Sequence, residues 1–247
     1  MGGRIVKKYT QSEFDALPMI DGRKQCPTGD YTDIYSFGNR CSFDRGCIFN
    51  EWCSFGDECN FSGCCNFEDM CSFGEKCSFG DECSFGNECS FGEKCRFDYE
   101  CSFGEKCSFD KKCRFGKWGS FGEKCSFGKW CSFNERCSFG EGCSFDEKCR
   151  FGKWCSFDKE CRFSEKCMCE FGKFYHMCTC GGFGSCDRTT YFFGLVDGGI
   201  GVRCGCFDGT IEEWEKKVRE THGDSNIAKA YLGLIEPVRL MMEEKRG

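Results

Sequence analysis

Long apolar runs, histidine and proline are all scarce in this chain of 247 residues. It contains two histidines and three prolines, and no run of 18 apolar residues that could cross a membrane. The opening residues, MGGRIVKK, lack the apolar segment of a signal peptide. An N-myristoylation signal would need Ser or Thr where Val6 stands. We therefore expect a soluble protein of the cytoplasm with mostly reduced thiols.

Cysteine and phenylalanine, by contrast, are abundant, with 29 residues of each. Phenylalanine recurs at every sixth position from Phe37 to Phe163, which makes 22 hexads. Cysteine precedes each following phenylalanine by two positions from Cys41 to Cys161, except at Gly119. Cys and Phe at alternate positions indicate a short strand with both side chains inward. The Gly, Asp or Asn after each Phe favours a turn, and two variable polar positions complete a solvated corner.

The hexad resembles the repeat of left-handed β-helices, which has a large apolar residue, Gly or Asp, two free positions and a small residue. The segment FGEKCS at residues 73–78 fits that template, with Phe as the large residue and Cys as the small one. The resemblance implies a mainly β fold. We expect a single-stranded β-solenoid, a left-handed β-helix with three hexads (18 residues) per coil and about seven regular coils. The use of Phe departs from the family's usual Leu, Ile or Val and requires a wider core.

The solenoid is expected to span residues 35–167, between an N-terminal cap at 1–34 and an irregular last coil at 168–186. A small α+β tail should follow at 187–247, with a hairpin around Asp197-Gly198-Gly199. Thr210 and Glu213 form a capping-box pattern that predicts a helix to about Glu220. A second helix should begin near Ser225 and be kinked or interrupted at Pro237.

The tail resembles the ends of uncharacterised proteins of phages and mobile elements of gut bacteria. The segments that carry this resemblance are RCGCF at 203–207, GT at 209–210 and THGD at 221–224. It implies a viral or mobile-element context, but it brings no activity and no catalytic residue.

Catalytic and metal sites are weakly marked. Hexapeptide-type acyltransferases share this repeat and use a catalytic His, but His176 and His222 both lie outside the regular hexads. Zinc carbonic anhydrases of the same fold need three His ligands. Two Cys-x-Cys pairs, Cys178/Cys180 and Cys204/Cys206, are weak candidates for a tetrahedral zinc site. Alternate cysteines facing one side of a strand are the favoured explanation, so we expect no metal, no cofactor and no catalytic residue.

Charge is unevenly distributed along the hexads. Residues 37–105 contain 5 basic and 14 acidic side chains, whereas residues 106–167 contain 14 basic and 9 acidic ones. Arg replaces Ser at positions that 18-residue coils place on one face, and Trp follows at the next corner. Exposed Trp and Arg are typical of binding hot spots and also suit phosphates and stacked bases. The predicted binding edge comprises Arg96, Arg114, Lys117, Trp118, Arg136, Arg150, Lys153 and Trp154, unless these repeats reflect duplication alone.

These observations favour a non-enzymatic, rigid binding protein of phage or mobile-element origin. Its expected partner is a bacterial host protein, a defence or nucleic-acid-processing complex that it inhibits in the manner of anti-CRISPR, anti-restriction or DNA-mimic proteins. Direct nucleic-acid binding through the Arg/Lys/Trp edge, a hexapeptide-type acyltransferase and a structural spacer remain as alternatives. No membrane partner is expected, and the sequence leaves the oligomeric state open.

Overall fold

A computed structural model describes residues 6–164, 166–183 and 188–246. Its contacts divide the chain into two compact units, Met1–Arg162 and Phe163–Gly247. The first unit is a β-solenoid, as the hexads predict. The solenoid fold has about eight turns with a spacing of 18 residues. Nearly every hexad forms a two-residue strand, and successive strands of one face pair in parallel with a spacing of 18 residues, for example Ser78 with Arg96 and Phe79 with Phe97.

The strands form three faces. We call the first the arginine face, and it comprises Cys41–Phe43, Asn60–Phe61, Ser78–Phe79, Arg96–Phe97, Arg114–Phe115, Ser132–Phe133 and Arg150–Phe151. The second comprises Ile48–Phe49, Asn66–Phe67, Ser84–Phe85, Ser102–Phe103, Ser120–Phe121, Ser138–Phe139 and Ser156–Phe157. The third comprises Ser36–Phe37, Ser54–Phe55, Ser72–Phe73, Ser90–Phe91, Ser108–Phe109, Ser126–Phe127, Ser144–Phe145 and Arg162–Phe163.

Phenylalanine rings fill the interior of the solenoid in a regular lattice. Phe79 is 1% exposed and stacks on Phe61 and Phe97 of the adjacent coils, with ring centroids 4.9 and 4.8 Å apart. Within its own turn, the ring meets Phe73 and Phe85 edge-on at 5.0 Å. Both arrangements are favourable for aromatic quadrupoles. The larger residue therefore widens the core without leaving it loosely packed.

The inward cysteines are hydrogen-bond donors as well as small apolar residues. The Cys95 thiol lies 3.3 Å from the carbonyl oxygen of Gly74, which is 21 residues earlier, at the corner of the preceding coil. Cys77, Cys113 and Cys131 repeat this contact at 3.3–3.4 Å. A thiol can donate to a buried carbonyl where alanine or valine cannot. This role accounts for cysteine at the position and was missed by an argument based on size alone.

The corners use left-handed backbone at the residue before each cysteine. Lys94, Lys112 and Lys124 have φ of 61°, 64° and 58°, and nearly every other corner repeats this value without glycine. The amide of such a residue donates to the next coil, as Lys94 does to the carbonyl oxygen of Lys111 at 3.1 Å. The corner side chain is therefore presented outward from a fixed backbone.

A short cap precedes the first coil. Helix α1, Gln11–Asp15, has Thr10 as its N-cap in a capping box with Glu13. Strands Met19–Ile20 and Arg23–Cys26 form a hairpin whose second strand pairs in parallel with Cys41–Phe43. The ring of Tyr31 is fully buried and stacks on Phe49. Residues 1–5 of the expected cap lie outside the described residues.

The second unit is an antiparallel sheet with three helices. Its strands are Cys167–Cys169, Gly172–Phe183, Arg188–Leu195, Ile200–Cys204 and Phe207–Thr210, each paired with the next. The helices are α2 (Ile211–His222), α3 (Asn226–Leu232) and α4 (Ile235–Arg246). The sheet and helices enclose a core around Phe192, Trp214 and Met242.

The expected irregular coil at 168–186 differs from this structure. Residues 172–183 instead form a long strand that pairs with both of its sequence neighbours, and residues 184–186 lie outside the described part. The predicted hairpin around Asp197 and the Thr210–Glu213 capping box are confirmed. The expected second helix is two helices, because α3 ends at Leu232, with Gly233 as its C-cap, and Pro237 falls in the first turn of α4, where a missing amide costs nothing.

A basic groove on the arginine face

The candidate site begins with outward side chains on the arginine face. The residue before the phenylalanine of each strand points away from the core, and the register places Arg96 beside Arg114, Arg114 beside Ser132, and Ser132 beside Arg150. Neighbouring strands lie about 4.8 Å apart. The face therefore carries arginine on the first, second and fourth of four successive coils.

The corner before this face contributes a second column. Lys94, Lys112, Trp130 and Lys148 occupy the left-handed position, with φ between 61° and 65°. The two columns line one open groove of about 490 Å³, bounded by Lys94, Arg96, Lys112, Arg114, Trp130, Ser132, Lys148 and Arg150. Six of these eight lining residues are cations, and none of the eight is acidic.

Several cations elsewhere on the solenoid are neutralised by carboxylates. Ion pairs join residues 18 apart on adjacent coils, as in Lys106–Glu88 at 3.0 Å, Lys117–Glu135 at 3.1 Å and Lys159–Glu141 at 3.2 Å. Among the groove cations of the described residues, only Lys94 forms an ion pair, with its Nζ 3.9 Å from Glu93, and that carboxylate pairs more closely with Lys111 outside the groove. No ion pair among the described residues involves the groove arginines or Lys112. Like charges on adjacent strands oppose folding, so the groove holds positive charge that the repeat itself does not require.

Trp130 is the aromatic member of the groove. Its side chain is 46% exposed, and the ammonium of Lys148 lies 4.3 Å from the centre of its ring. Its φ of 65° is a conformation that bulky residues seldom adopt. Lys fills the same position in the other three groove coils, so the fold itself does not call for an indole here.

The predicted edge separates into two features. Arg96, Arg114 and Arg150 lie in the groove, whereas Trp118, Arg136 and Trp154 stack at the next corner, which leads to the second face. The Arg136 guanidinium carbon is 4.6 Å from the Trp118 ring centre and 5.1 Å from that of Trp154.

Of the two predicted lysines at that corner, Lys117 pairs with Glu135, and Lys153 is exposed. Sequence reasoning missed five groove residues: Ser132, which lies in the arginine column, and the corner residues Lys94, Lys112, Trp130 and Lys148. The same 18-residue spacing, applied to the residue before each cysteine, would have found the corner residues.

No protein-family model, curated protein or solved structure matches this chain.

The weak metal candidates are divided between two strands that are not neighbours. Cys178 and Cys180 lie on Gly172–Phe183 and Cys204 lies on Ile200–Cys204, with Arg188–Leu195 between them. Cys206 is exposed in the turn that follows. Within the described residues, no group of three His, Cys, Asp or Glu side chains could hold a metal ion. Burial raises the pKa of Cys178 to about 12, which keeps that thiol protonated.

The two histidines belong to the second unit. His176 is partly buried on the long strand, where burial and then the nearby Lys245 lower its pKa. His222 ends α2 with its ring 6.0 Å from that of Tyr231.

A buried ion pair joins Arg203 to Glu170 at 3.1 Å, and burial raises the pKa of the Glu170 carboxyl. Within the described residues, every helix is too short or too polar to cross a bilayer.

Proposed function

We propose that this chain is a binding protein, and that its basic groove holds the phosphate backbone of a nucleic acid. The observation that carries the proposal is that five of the six groove cations, all except Lys94, form no ion pair among the described residues. Lysine–glutamate ion pairs between residues 18 apart neutralise positive charge at other corners of the same repeat. A glutamate at the equivalent position could neutralise the groove cations in the same way, but the groove is lined by no acidic residue. Serine at the arginine positions would preserve the fold and avoid the repulsion.

Three pairs of cations set the scale of the interaction. Lys94 with Arg96, Lys112 with Arg114, and Lys148 with Arg150 extend over four coils, or about 14 Å at the usual strand spacing. Arginine and lysine bind phosphate and release its counterions, so affinity falls steeply with salt. Six contacts to a single strand correspond to a slope of about −4 in log K against log salt.

The test is fluorescence anisotropy of a labelled oligonucleotide over a range of KCl concentrations. The variant Arg96→Ser/Arg114→Ser/Arg150→Ser restores the consensus residue and should reduce the magnitude of the slope by about 2. The control Lys106→Gln/Lys124→Gln/Lys159→Gln removes the same charge from a different corner. Equal loss in both variants would mean that net charge, rather than the groove, governs binding.

A second candidate function follows from the Trp118–Arg136–Trp154 stack. Trp and Arg are the residues most enriched in protein hot spots, and these indoles are 44% and 43% exposed. We propose docking on a bacterial defence or nucleic-acid-processing protein as the use of this stack. A partner captured from a host lysate by the wild type should be lost in Trp118→Asn/Trp154→Asn, with oligonucleotide affinity unchanged. Capture that persists in this variant would remove the stack from consideration.

A further inference from the structure

The groove is not uniformly basic, and its third coil is the exception. There Trp130 takes the place of a lysine and Ser132 the place of an arginine. Cationic coils lie on both sides, Lys112/Arg114 before and Lys148/Arg150 after. A polyanion of phosphate alone would gain most from a cation on every coil. An aromatic residue beside a short hydroxyl side chain instead provides a flat surface and room above it.

The side chain of Trp130 is 46% exposed. Lys148 covers one side of the ring at 4.3 Å, and no second cation of the described residues lies over it. Nucleic-acid bases stack on such rings, whereas paired bases within a duplex are already stacked on each other and are not offered to a side chain. The Ser132 hydroxyl can both donate and accept a hydrogen bond at the edge of a base.

We infer that the groove binds single-stranded nucleic acid, with one unpaired base stacked on Trp130 and the flanking phosphates on the Lys112/Arg114 and Lys148/Arg150 pairs. This inference rests on the proposed function, because the phosphates supply most of the affinity. The base adds a contact that inorganic polyphosphate and a duplex cannot make. Stacking on one aromatic side chain is worth about 5- to 150-fold in affinity.

The probes are a 12-nucleotide thymidine oligonucleotide, an abasic strand of the same length, a 12-base-pair duplex and inorganic polyphosphate. Wild-type protein should bind the thymidine strand at least about 5-fold more tightly than the abasic strand. Trp130→Asn should bind both single strands at the abasic affinity, and Trp130→Phe should recover much of the difference. Asparagine suits the left-handed backbone, and a far-UV circular dichroism melt checks that each variant is folded.

The outcomes separate the inference from the function beneath it. Salt-dependent binding that is equal for the thymidine and abasic strands would overturn the inference that a base stacks on Trp130, but it would still support phosphate binding in the groove. Tighter binding of duplex or polyphosphate would also overturn single-strand recognition. Failure of all four probes to bind would overturn the proposed function itself.

Discussion

Gly119 marks the one hexad between Cys41 and Cys161 in which the inward cysteine is missing, and we predict that restoring it stabilises the solenoid. The position is buried, and its φ lies outside the left-handed region. A Cβ atom added there would lie 3.4 Å from a ring carbon of Phe121 and 3.5 Å from the sulfur of Cys137. These are ordinary contact distances, so Gly119→Cys should fit without displacing its neighbours.

The gain has three parts. Burying one more methylene contributes about 0.8 kcal/mol, and restricting the unfolded chain contributes about 0.4–1 kcal/mol. The new thiol would lie 21 residues after Asp98, whose carbonyl oxygen occupies the acceptor position that Gly74 has for Cys95. A net hydrogen bond at the weak end of the usual range adds about 0.5 kcal/mol. The expected stabilisation is about 2 kcal/mol, of which Gly119→Ala should give about 1.5.

Thermal unfolding followed by circular dichroism, in excess reductant, measures this change. About 2 kcal/mol corresponds to a rise of about 4–8 °C in Tm for a unit of this size. The reciprocal change Cys101→Gly, one coil earlier in the same column, should lower Tm by at least as much because it also leaves a cavity. A lower Tm for both Gly119→Ala and Gly119→Cys would refute the reasoning, since it would mean that the corner cannot accept a side chain.

Three further outcomes are expected. Cys95→Ala should lower the free energy of unfolding by about 2 kcal/mol, because it removes a buried sulfur and leaves the Gly74 carbonyl without its donor, and a urea titration measures the loss. Burial lowers the pKa of His176 in the folded state, so below pH 6.5 the unfolded state binds more protons than the folded state. The second unit should therefore lose stability as the pH falls from 6.5 through the lowered pKa. Thermal melts over a series of pH values should show a shallower decline in His176→Gln. Arg203→Met should lower the free energy of unfolding by about 3 kcal/mol at pH 7.5, because Glu170 is then left buried without its ion-pair partner. The loss should be smaller at pH 5, because burial raises the pKa of the Glu170 carboxyl and it takes up a proton more readily. Thermal melts at the two pH values compare the losses.

The solenoid could be predicted from sequence because its period is strict. Phenylalanine at every sixth residue permits one inward pattern, and 18 residues per coil then fixes every neighbour, as the pairing of Arg96 with Arg114 confirms. The start of α2 after Thr210 was equally predictable from the sequence, because a capping box is a local signal. Features that depend on a single period or on residues close together in the chain could thus be predicted from the sequence.

Other features were decided by contacts between distant residues. The strand Gly172–Phe183 follows the last hexad, yet its partner Arg188–Leu195 makes it one strand of a meander rather than another coil. The donor role of the thiols depends on a carbonyl 21 residues away, which composition does not reveal. By contrast, the corner column of the groove follows from the same 18-residue period as the arginine column, so Lys94, Lys112, Trp130 and Lys148 were predictable from the sequence.

The left-handed corners have a consequence for how this surface can change. Because each corner fixes its backbone and leaves its side chain outward, the remainder of a residue number divided by 18 gives its column, and the quotient gives its height. The exterior is therefore a coordinate grid with a step of about 4.8 Å. Moving Lys112 and Arg114 to the equivalent positions of a neighbouring coil would slide a phosphate contact by one step while the Phe and Cys lattice stays the same. A footprint on this protein can thus be shifted, lengthened or erased without disturbing what lies inside.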